Sequence, residues 1–253
     1  MEKTIIAVDL DETLLKGDKT VGEYTLNTLR VCKEKGAVIV ISTARGYNNT
    51  KKFAEIIAAD YCCCQLGNLI VDSKGEVVYK RAIDEKVKLN FLNTFNEYTD
   101  EIFFDGYHGV FGLADTYLGL WSITPCLREE MEKTEAIQIC LKHSESSLEK
   151  IKTFCKENNL THDVMRGADF SFVSPCQTDK WNALDYLVKF LKVDKQNLFV
   201  FGDDTTDLKS ILNAGRGVAM QNSREEVLLK AKNVTLTNEE EGVAKFLEKE
   251  LLN

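Results

Sequence analysis

The stretch "IIAVDLDETLL", residues 5 to 15, decides the fold prediction for this chain. A run of apolar, partly β-branched residues ends abruptly at Asp9 and Asp11, which are separated by one leucine. A continuous apolar run is typical of a strand that is covered on both faces, as in a parallel sheet. The sequence therefore places two like charges where a buried strand ends, and that placement needs a chemical explanation.

Composition limits the classes of protein that this chain can belong to. Its 253 residues, 44% hydrophobic and 28% charged, suit one large globular domain or a core with an inserted smaller domain. The net charge of −8 and the lack of an evident basic face argue against nucleic acid as a partner. No apolar run reaches the roughly 18 residues that a membrane-spanning helix needs. Because "MEKTIIAVDLD" lacks the apolar segment of a signal peptide, we expect a cytoplasmic location.

The cysteine pattern favours a structural role for the thiols. The chain has 8 cysteines, among them the run Cys62, Cys63 and Cys64, but no C-x-x-C pair and only 3 histidines. Zinc sites usually combine closely spaced cysteine and histidine ligands, so no zinc site is predicted. In a reducing compartment we expect the cysteines to be small core residues.

Apolar runs alternate with amphipathic helical segments, which predicts an α/β protein with a Rossmann-like parallel sheet. After the first strand, the spacing predicts a helix over 21–35 and a second buried strand at "AVIVIS", residues 37–42. "NLIVDSKGEVVYKR" predicts a hairpin that turns at Lys74–Gly75. Near the end of the chain, "NLFVFGDD", "GRGVAM" and "NVTLT" predict further strands.

The texture changes between about Ala82 and Pro175, where helical segments mix with shorter strands such as "AIQICLKH" and "DFSFVS". We interpret this region as a separate α/β module inserted into the first. The predicted first module therefore comprises residues 1–81 and 179–253, and the predicted insert comprises residues 82–178.

Polar side chains follow several predicted strands. Asp9 and Asp11 follow the first strand, Thr43 and Arg45 the second, and Asp203 begins the "DDTTD" that follows "NLFVFG". Ligands of open parallel sheets bind outside the carboxyl ends of the strands, so these groups converge if the strands are neighbours. Clustered carboxylates need an offsetting charge, and Mg²⁺ accepts carboxylate, water and phosphate oxygens. We therefore predict a Mg²⁺ site there, with one carboxylate free to attack a substrate.

Four short motifs in order carry a family resemblance. "DLDETL" resembles the D-x-D-x-T first motif of the haloacid dehalogenase (HAD) superfamily, and "VISTAR" its second motif. Lys180 in "QTDKWNAL" resembles the third motif, and "GDDTTD" at 202–207 the fourth. The large insert and the closing "GVAMQNSREEVLLKAKNVTLTNEEEGVAKFL" are similar to the Cof-like sugar-phosphatase branch, so the resemblance covers essentially the whole chain.

The resemblance implies the catalytic roles. Asp9 would be the nucleophile that forms an aspartyl-phosphate. Asp11 would protonate the leaving oxygen and then activate water. Thr43 and Lys180 would bind phosphoryl oxygens, and Lys180 would also screen the charge of the nucleophile. Arg45 is a candidate for substrate contact, with a solvated surface charge as the alternative.

The resemblance also implies the metal ligands. Mg²⁺ would be bound by the Asp9 side chain, the Asp11 carbonyl oxygen and Asp203. Asp207 would orient the water shell of the metal. The neighbouring Asp204 is instead expected to be a turn residue or a charge at a helix start.

Three positions depart from the family pattern. Glu12 replaces the glycine that is most common inside the first motif, and Thr206 stands where many relatives have a substrate-contacting asparagine. Leu66 takes the place of the asparagine in the usual asparagine-glycine pair before the hairpin. These changes bear on substrate choice more than on the reaction.

The sequence thus predicts a Mg²⁺-dependent phosphatase that acts on small phosphorylated metabolites, with sugar phosphates as the leading candidates. A cap would select the substrate. One alternative is a phosphomutase of the same superfamily, which passes the phosphoryl group to another sugar hydroxyl instead of water. Another is a non-catalytic metabolite-binding or regulatory module on the same fold. The presence of both Asp9 and Asp11 argues against that module.

Overall fold

The computed structural model describes residues 3–97, 102–112, 123–164, 169–176 and 178–252. The strands, in chain order, are β1 (Ile5–Val8), β2 (Val38–Ser42), β3 (Tyr61–Cys64), β4 (Leu69–Asp72), β5 (Val77–Lys80), β6 (Ile102–Gly106), β7 (Gly109–Gly112), β8 (Ile123–Pro125), β9 (Gln138–Lys142), β10 (Leu160–Val164), β11 (Phe170–Pro175), β12 (Leu198–Gly202), β13 (Arg216–Met220) and β14 (Asn233–Thr235). The α-helices are α1 (Glu23–Glu34), α2 (Tyr47–Ile56), α3 (Glu85–Thr94), α4 (Arg128–Lys133), α5 (Glu145–Glu157), α6 (Lys180–Leu191), α7 (Thr205–Asn213), α8 (Glu225–Lys230) and α9 (Gly242–Leu247). Within the described ranges, no helix is long and apolar enough to cross a membrane.

Contacts between Cα atoms divide the chain into two compact units. The first unit comprises Met1–Ala44, Thr50–Val78 and Asp179–Asn253, and the second comprises Arg45–Asn49 and Tyr79–Thr178. The short segment Arg45–Asn49 therefore belongs to the second unit, although it directly follows the β2 segment of the first.

The first unit contains an eight-stranded sheet with the order β14-β13-β12-β1-β2-β3-β4-β5. The first strand, Ile5–Val8, lies between β12 and β2 and pairs in parallel with both, with Val8 opposite Phe201 and Ile41. All four of its residues are fully buried, as the continuous apolar run predicts. This central position brings the carboxyl ends of three parallel strands side by side.

Turn chemistry sets the limits of the predicted elements. The helix expected over 21–35 is α1, which ends shortly before Gly36, a glycine with a left-handed φ of +95°. The predicted hairpin is β4–β5, whose strands are neighbours in the sheet, and Gly75 has a φ of +86° at the predicted turn. The predicted α/β class with a sheet rich in parallel pairs is confirmed.

The second unit contains a six-stranded sheet with the order β10-β11-β9-β6-β7-β8. Its pairs β10–β11, β11–β9, β9–β6 and β6–β7 are antiparallel. Residues of α3, α4 and α5 contribute to a hydrophobic core together with strand residues, and the rings of Phe91 and Phe154 meet edge to face with centroids 5.2 Å apart. The predicted strands at "AIQICLKH" and "DFSFVS" are β9 and β11.

Candidate active site

The chain turns sharply after β1 and buries Asp9 at the start of the turn. The Asp9 amide donates to the Phe201 carbonyl (3.1 Å), which extends the pairing of β1 with β12 by one residue. Leu14 N–H donates to the Asp9 carbonyl (3.2 Å), and Leu15 N–H donates to the Leu10 carbonyl (2.8 Å). These bonds close residues 9–15, here called the first-motif turn, and leave Asp9 7% exposed.

Glu12 occupies the left-handed region of the backbone in this turn, with φ +55° and ψ 9°. A side chain there costs about 1 kcal/mol relative to glycine, the residue that the resemblance leads us to expect at this place. The Glu12 side chain is half exposed (48%), and its Oε1 lies 3.9 Å from Lys19 Nζ. Its charge therefore faces solvent and a lysine.

Lys180 is the first residue of α6, where the Asp179 carboxylate caps the helix by accepting from the Asn182 amide (2.7 Å). The Lys180 side chain is buried, with 2% of the residue exposed. Its Nζ lies 2.7 Å from Asp207 Oδ1 and 3.0 Å from Asp9 Oδ1. One ammonium group thus joins the carboxylate after β1 to a carboxylate of α7.

The fourth motif connects β12 to α7. Asp204 caps α7, as expected of a charge at a helix start, and Asp207 accepts from the amides of Asp203 (3.3 Å) and Asp204 (3.2 Å). A Cβ on Gly202 would collide with the Asp207 side chain, so glycine is required at that place. The capping geometry holds Asp207 beside Asp203.

Carboxylate oxygens of Asp9, Asp203 and Asp207 all lie within 4.8 Å of one another, and all three residues are buried. Burial, followed by the neighbouring carboxylates, raises the pKa of Asp9 well above its ordinary value, although Lys180 opposes this. Burial and the charge of Asp207 raise the pKa of Asp203 to about 7, while a hydrogen bond from Thr13 lowers it. For Lys180, burial lowers the pKa, but Asp207 and Asp9 outweigh it and raise the pKa overall.

This donor set fits a hard divalent cation. Three buried carboxylates lie together, and the Lys180 ammonium contacts two of them, those of Asp9 and Asp207. A bound cation would offset the repulsion between the carboxylates, which together with burial raises the pKa of Asp9 and Asp203. Oxygen ligands of this kind are those that Mg²⁺ takes. The Asp11 carboxylate lies elsewhere: its Oδ1 is 2.9 Å from Lys19 Nζ, and its side chain is 36% exposed.

Thr43 follows β2 at the same edge of the sheet as Asp9, because β1 and β2 are parallel neighbours. It is buried, its amide donates to the Cys63 carbonyl (2.9 Å), and its carbonyl accepts from the Leu66 amide (3.2 Å). Leu66, which departs from the family pattern, has a left-handed φ of +55°, a conformation that asparagine tolerates better. Thr206 lies half-buried in the first turn of α7.

Arg45 is buried (6% exposed) and belongs to the second unit. In the same unit, the ring of Tyr47 stacks on Tyr107 with centroids 5.6 Å apart, and Asn48 Nδ2 donates to the Tyr107 carbonyl (2.9 Å). The alternative of a solvated surface charge at Arg45 is therefore wrong.

Side chains outside the predicted set also bind the first-motif turn and Asp203. Thr13 Oγ1 donates to Asp203 Oδ1 (2.9 Å), Lys19 pairs with Asp11, and Asn222 Nδ2 donates to the Glu12 carbonyl (2.7 Å). Thr13 was visible as the threonine of the D-x-D-x-T motif. Lys19 and Asn222 follow no local pattern that would have singled them out.

The sequence model of a family described as haloacid dehalogenase-like hydrolase matches residues 6–247. The 5-amino-6-(5-phospho-D-ribitylamino)uracil phosphatase YitU of Bacillus subtilis is 28% identical over 260 residues, which cover 96% of each chain. A solved haloacid dehalogenase-like hydrolase from Bacteroides thetaiotaomicron is similar with a TM-score of 0.89 at 21% identity, covering 98% of this chain and 99% of that one. The subclass IIB sugar phosphatase BT4131 is similar with a TM-score of 0.81 at 21% identity, covering 97% and 98%. At 21% identity, the two structural matches show the fold alone.

Proposed function

The chain belongs to the haloacid dehalogenase-like hydrolase family, and we propose that it is a Mg²⁺-dependent phosphatase that acts on small phosphorylated metabolites through an aspartyl-phosphate. The motifs predict a phosphoric monoester hydrolase, and the family match together with relatives named as phosphatases confirms this class. The metal, the intermediate, the substrate class and the residue roles belong to the proposal.

The observation that carries the proposal is the position of Lys180 Nζ between Asp9 Oδ1 and Asp207 Oδ1, at 3.0 and 2.7 Å. A buried ammonium beside Asp9 favours the ionised carboxylate, which is the form that can attack phosphorus. It also supplies positive charge where the oxygens of a transferring phosphoryl group would lie. Phosphoryl transfer depends mainly on such positioning and charge neutralisation.

We assign the metal ligands as the Asp9 side chain, the Asp11 carbonyl oxygen and Asp203. Mg²⁺ bound there would offset the carboxylate charges and polarise a phosphoryl oxygen. Thr13 holds Asp203 by donating to its Oδ1. Asp207, whose carboxylate binds Lys180 and two amides, positions Lys180 and the start of α7.

In the proposed reaction, the Asp9 carboxylate attacks phosphorus and the ester oxygen leaves with a proton from Asp11. Asp11 then takes a proton from water, which attacks the aspartyl-phosphate and releases inorganic phosphate. Thr43 would bind phosphoryl oxygens beside Lys180, and Arg45 would contact the substrate. The two aspartates differ in environment, since Asp9 is buried and Asp11 is partly exposed next to Lys19. This difference suits a nucleophile and a proton carrier that must reach solvent water.

The proposed substrates are sugar and polyol phosphates, and we propose residues 82–178 as the cap that selects among them. A relative that is 28% identical to this chain is named for a phosphorylated ribityl compound, which supports testing sugar and polyol phosphates first. The proposed partner is a small phosphate ester.

The test is release of inorganic phosphate by the purified chain from hexose, pentose and polyol phosphates, nucleotides and cofactor phosphates, with Mg²⁺ and with a chelator. We expect turnover of sugar or polyol phosphates that the chelator abolishes and Asp9→Asn removes. Conversion to an isomeric sugar phosphate without free phosphate would instead indicate the phosphomutase. A flat result across the panel with Mg²⁺ would favour the non-catalytic module.

A further inference from the structure

The side chains of Asn222 and Asn238 donate hydrogen bonds to the strained part of the first-motif turn. Asn222 Nδ2 donates to the Glu12 carbonyl (2.7 Å), and Asn222 Oδ1 accepts from the backbone N–H of Asn238 (3.1 Å). Asn238 Nδ2 in turn donates to the Leu15 carbonyl (2.8 Å), and Asn238 is buried. Two carbonyls of the turn, those of Glu12 and Leu15, are thus bound by asparagines from the part of the chain that follows β13.

The Asn222 amide has a defined orientation in this chain. Its oxygen faces a backbone N–H, so its nitrogen must face the Glu12 carbonyl, and only a side chain with both an acceptor and a donor satisfies both partners. Glu12 is where the support is needed, since its φ of +55° disfavours any residue with a Cβ. The hydrogen bond therefore compensates for a backbone conformation that glutamate resists.

The residues after Asn222 contact the fourth motif. Arg224 N–H donates to the Asp203 carbonyl (3.0 Å), and Ser223 Oγ donates to the Gly202 carbonyl (3.4 Å). One short segment, 222–224, thereby binds both the first-motif turn and the end of β12. Glu12, whose carbonyl this segment binds, lies between Asp11 and Thr13. Thr13 in turn donates to Asp203.

We propose that Asn222 is a positioning residue that holds the first-motif turn and, through it, keeps Asp11 aligned for proton transfer to the leaving oxygen. The proton-transfer part of this inference rests on the proposed phosphatase function. Asn222 itself touches no substrate in this assignment, because it acts through the Glu12 carbonyl.

The test compares Asn222→Asp and Asn222→Ala with the wild-type chain. The aspartate keeps the acceptor for the Asn238 amide but places an oxygen against the Glu12 carbonyl, so it breaks the one contact of interest. Asn233→Ala is the matched control, because Asn233 Nδ2 also donates to a backbone carbonyl, that of Gly217 (3.0 Å). Glu12→Gly provides a suppressor, since glycine adopts a positive φ without a Cβ penalty.

Two readouts separate positioning from general damage. The first is kcat/KM for the best alkyl phosphate of the panel, divided by kcat/KM for p-nitrophenyl phosphate, whose leaving group needs little protonation. We expect both Asn222 variants to lower this ratio about tenfold, and Glu12→Gly to restore part of it. The second is hydrogen exchange, which should accelerate at the Leu14 and Leu15 amides that close the turn. Asn233→Ala should change neither.

An unchanged ratio with unchanged exchange would overturn the inference, and so would an equal loss on both esters, which indicates general damage. An effect that Glu12→Gly leaves undiminished would contradict the role of Asn222 in supporting the strained turn. A wild-type chain that hydrolyses neither ester would refute the proposed function and the proton-transfer role with it. The exchange rates would in that case still decide whether Asn222 holds the turn.

Discussion

Lys180 Nζ lies 2.7 Å from Asp207 Oδ1, although the two residues lie in the first turns of different helices and are 27 positions apart. Both side chains are almost fully buried, and the same Nζ lies 3.0 Å from Asp9 Oδ1. The Lys180 ammonium therefore stabilises the folded protein, because removing one partner from a buried ion pair leaves uncompensated charge.

Lys180→Met should therefore lower the free energy of unfolding of the metal-free protein by about 3–5 kcal/mol near neutral pH and abolish turnover. Urea unfolding followed by circular dichroism measures the first effect. Lys209→Met is the control: Lys209 Nζ also pairs with a carboxylate, Asp179 Oδ2 (2.5 Å), but the lysine side chain is 54% exposed. That variant should lose no more than about 1 kcal/mol. Equal losses in the two variants would contradict the buried-pair interpretation.

Replacement of the two first-motif aspartates should separate their roles. Asp9→Asn removes the nucleophile, so no phosphoenzyme forms and hydrolysis falls to background. Asp11→Asn retains the nucleophile and loses the proton carrier, at a cost of roughly 10²–10⁴-fold in rate. With p-nitrophenyl phosphate, the first step should survive better than the second, and phosphate should accumulate on the peptide containing Asp9. Quenched mass spectrometry measures the added mass, and phosphate on Asp9→Asn would reverse the assignment.

The pH dependence of the free energy of unfolding should reveal the raised pKa of Asp203. Burial and Asp207 raise its pKa to about 7, so the metal-free folded protein holds a proton that the unfolded chain loses near its ordinary value. The resulting stabilisation is complete below about pH 4 and is lost as the pH rises through about 7, at up to roughly 1.4 kcal/mol per pH unit. Asp203→Asn removes this titration. The free energy of unfolding of this variant, relative to that of the wild-type chain, should therefore increase as the pH rises across that window.

Chemical unfolding of both proteins at several pH values with a chelator present measures the difference, and parallel stability curves would rule out the assignment. Mg²⁺ competes with the proton, so its binding to the wild-type protein should tighten up to about pH 7 and release protons. Calorimetry in buffers of different ionisation enthalpy measures that release.

Thiol labelling should distinguish the cysteines by burial. Six are buried, as the sequence predicts, whereas Cys126 and Cys176 are partly exposed. Burial raises the pKa of the Cys63 and Cys64 thiols, which keeps them protonated and unreactive. We expect a thiol-specific reagent near pH 8 to modify Cys126 and Cys176 in the native protein and all eight only after unfolding. Rapid modification of the Cys62–Cys64 run without unfolding would contradict this burial.

Much of the fold could be predicted from local patterns. Continuous apolar runs identified β1, β2 and β12, because a strand that is covered on both faces is apolar at successive positions instead of alternating with polar residues. The hairpin turn at Gly75 followed from turn chemistry, and the placement of Asp9 and Asp203 after buried strands predicted that they would converge at one edge of the sheet. Such features depend on residues that are neighbours in sequence, so sequence alone suffices for them.

The tertiary structure decided which charges meet and what supports them. The sequence marked Lys180, Asp9 and Asp207, but only the packing of α6 beside α7 placed one ammonium between two carboxylates. The contacts of Asn222 with Glu12 and of Thr13 with Asp203 span 210 and 190 positions, and no local pattern encodes partners at that separation. The left-handed conformation of Glu12 likewise opposes its intrinsic preference, because hydrogen bonds from distant residues and the closed turn outweigh a local cost of about 1 kcal/mol.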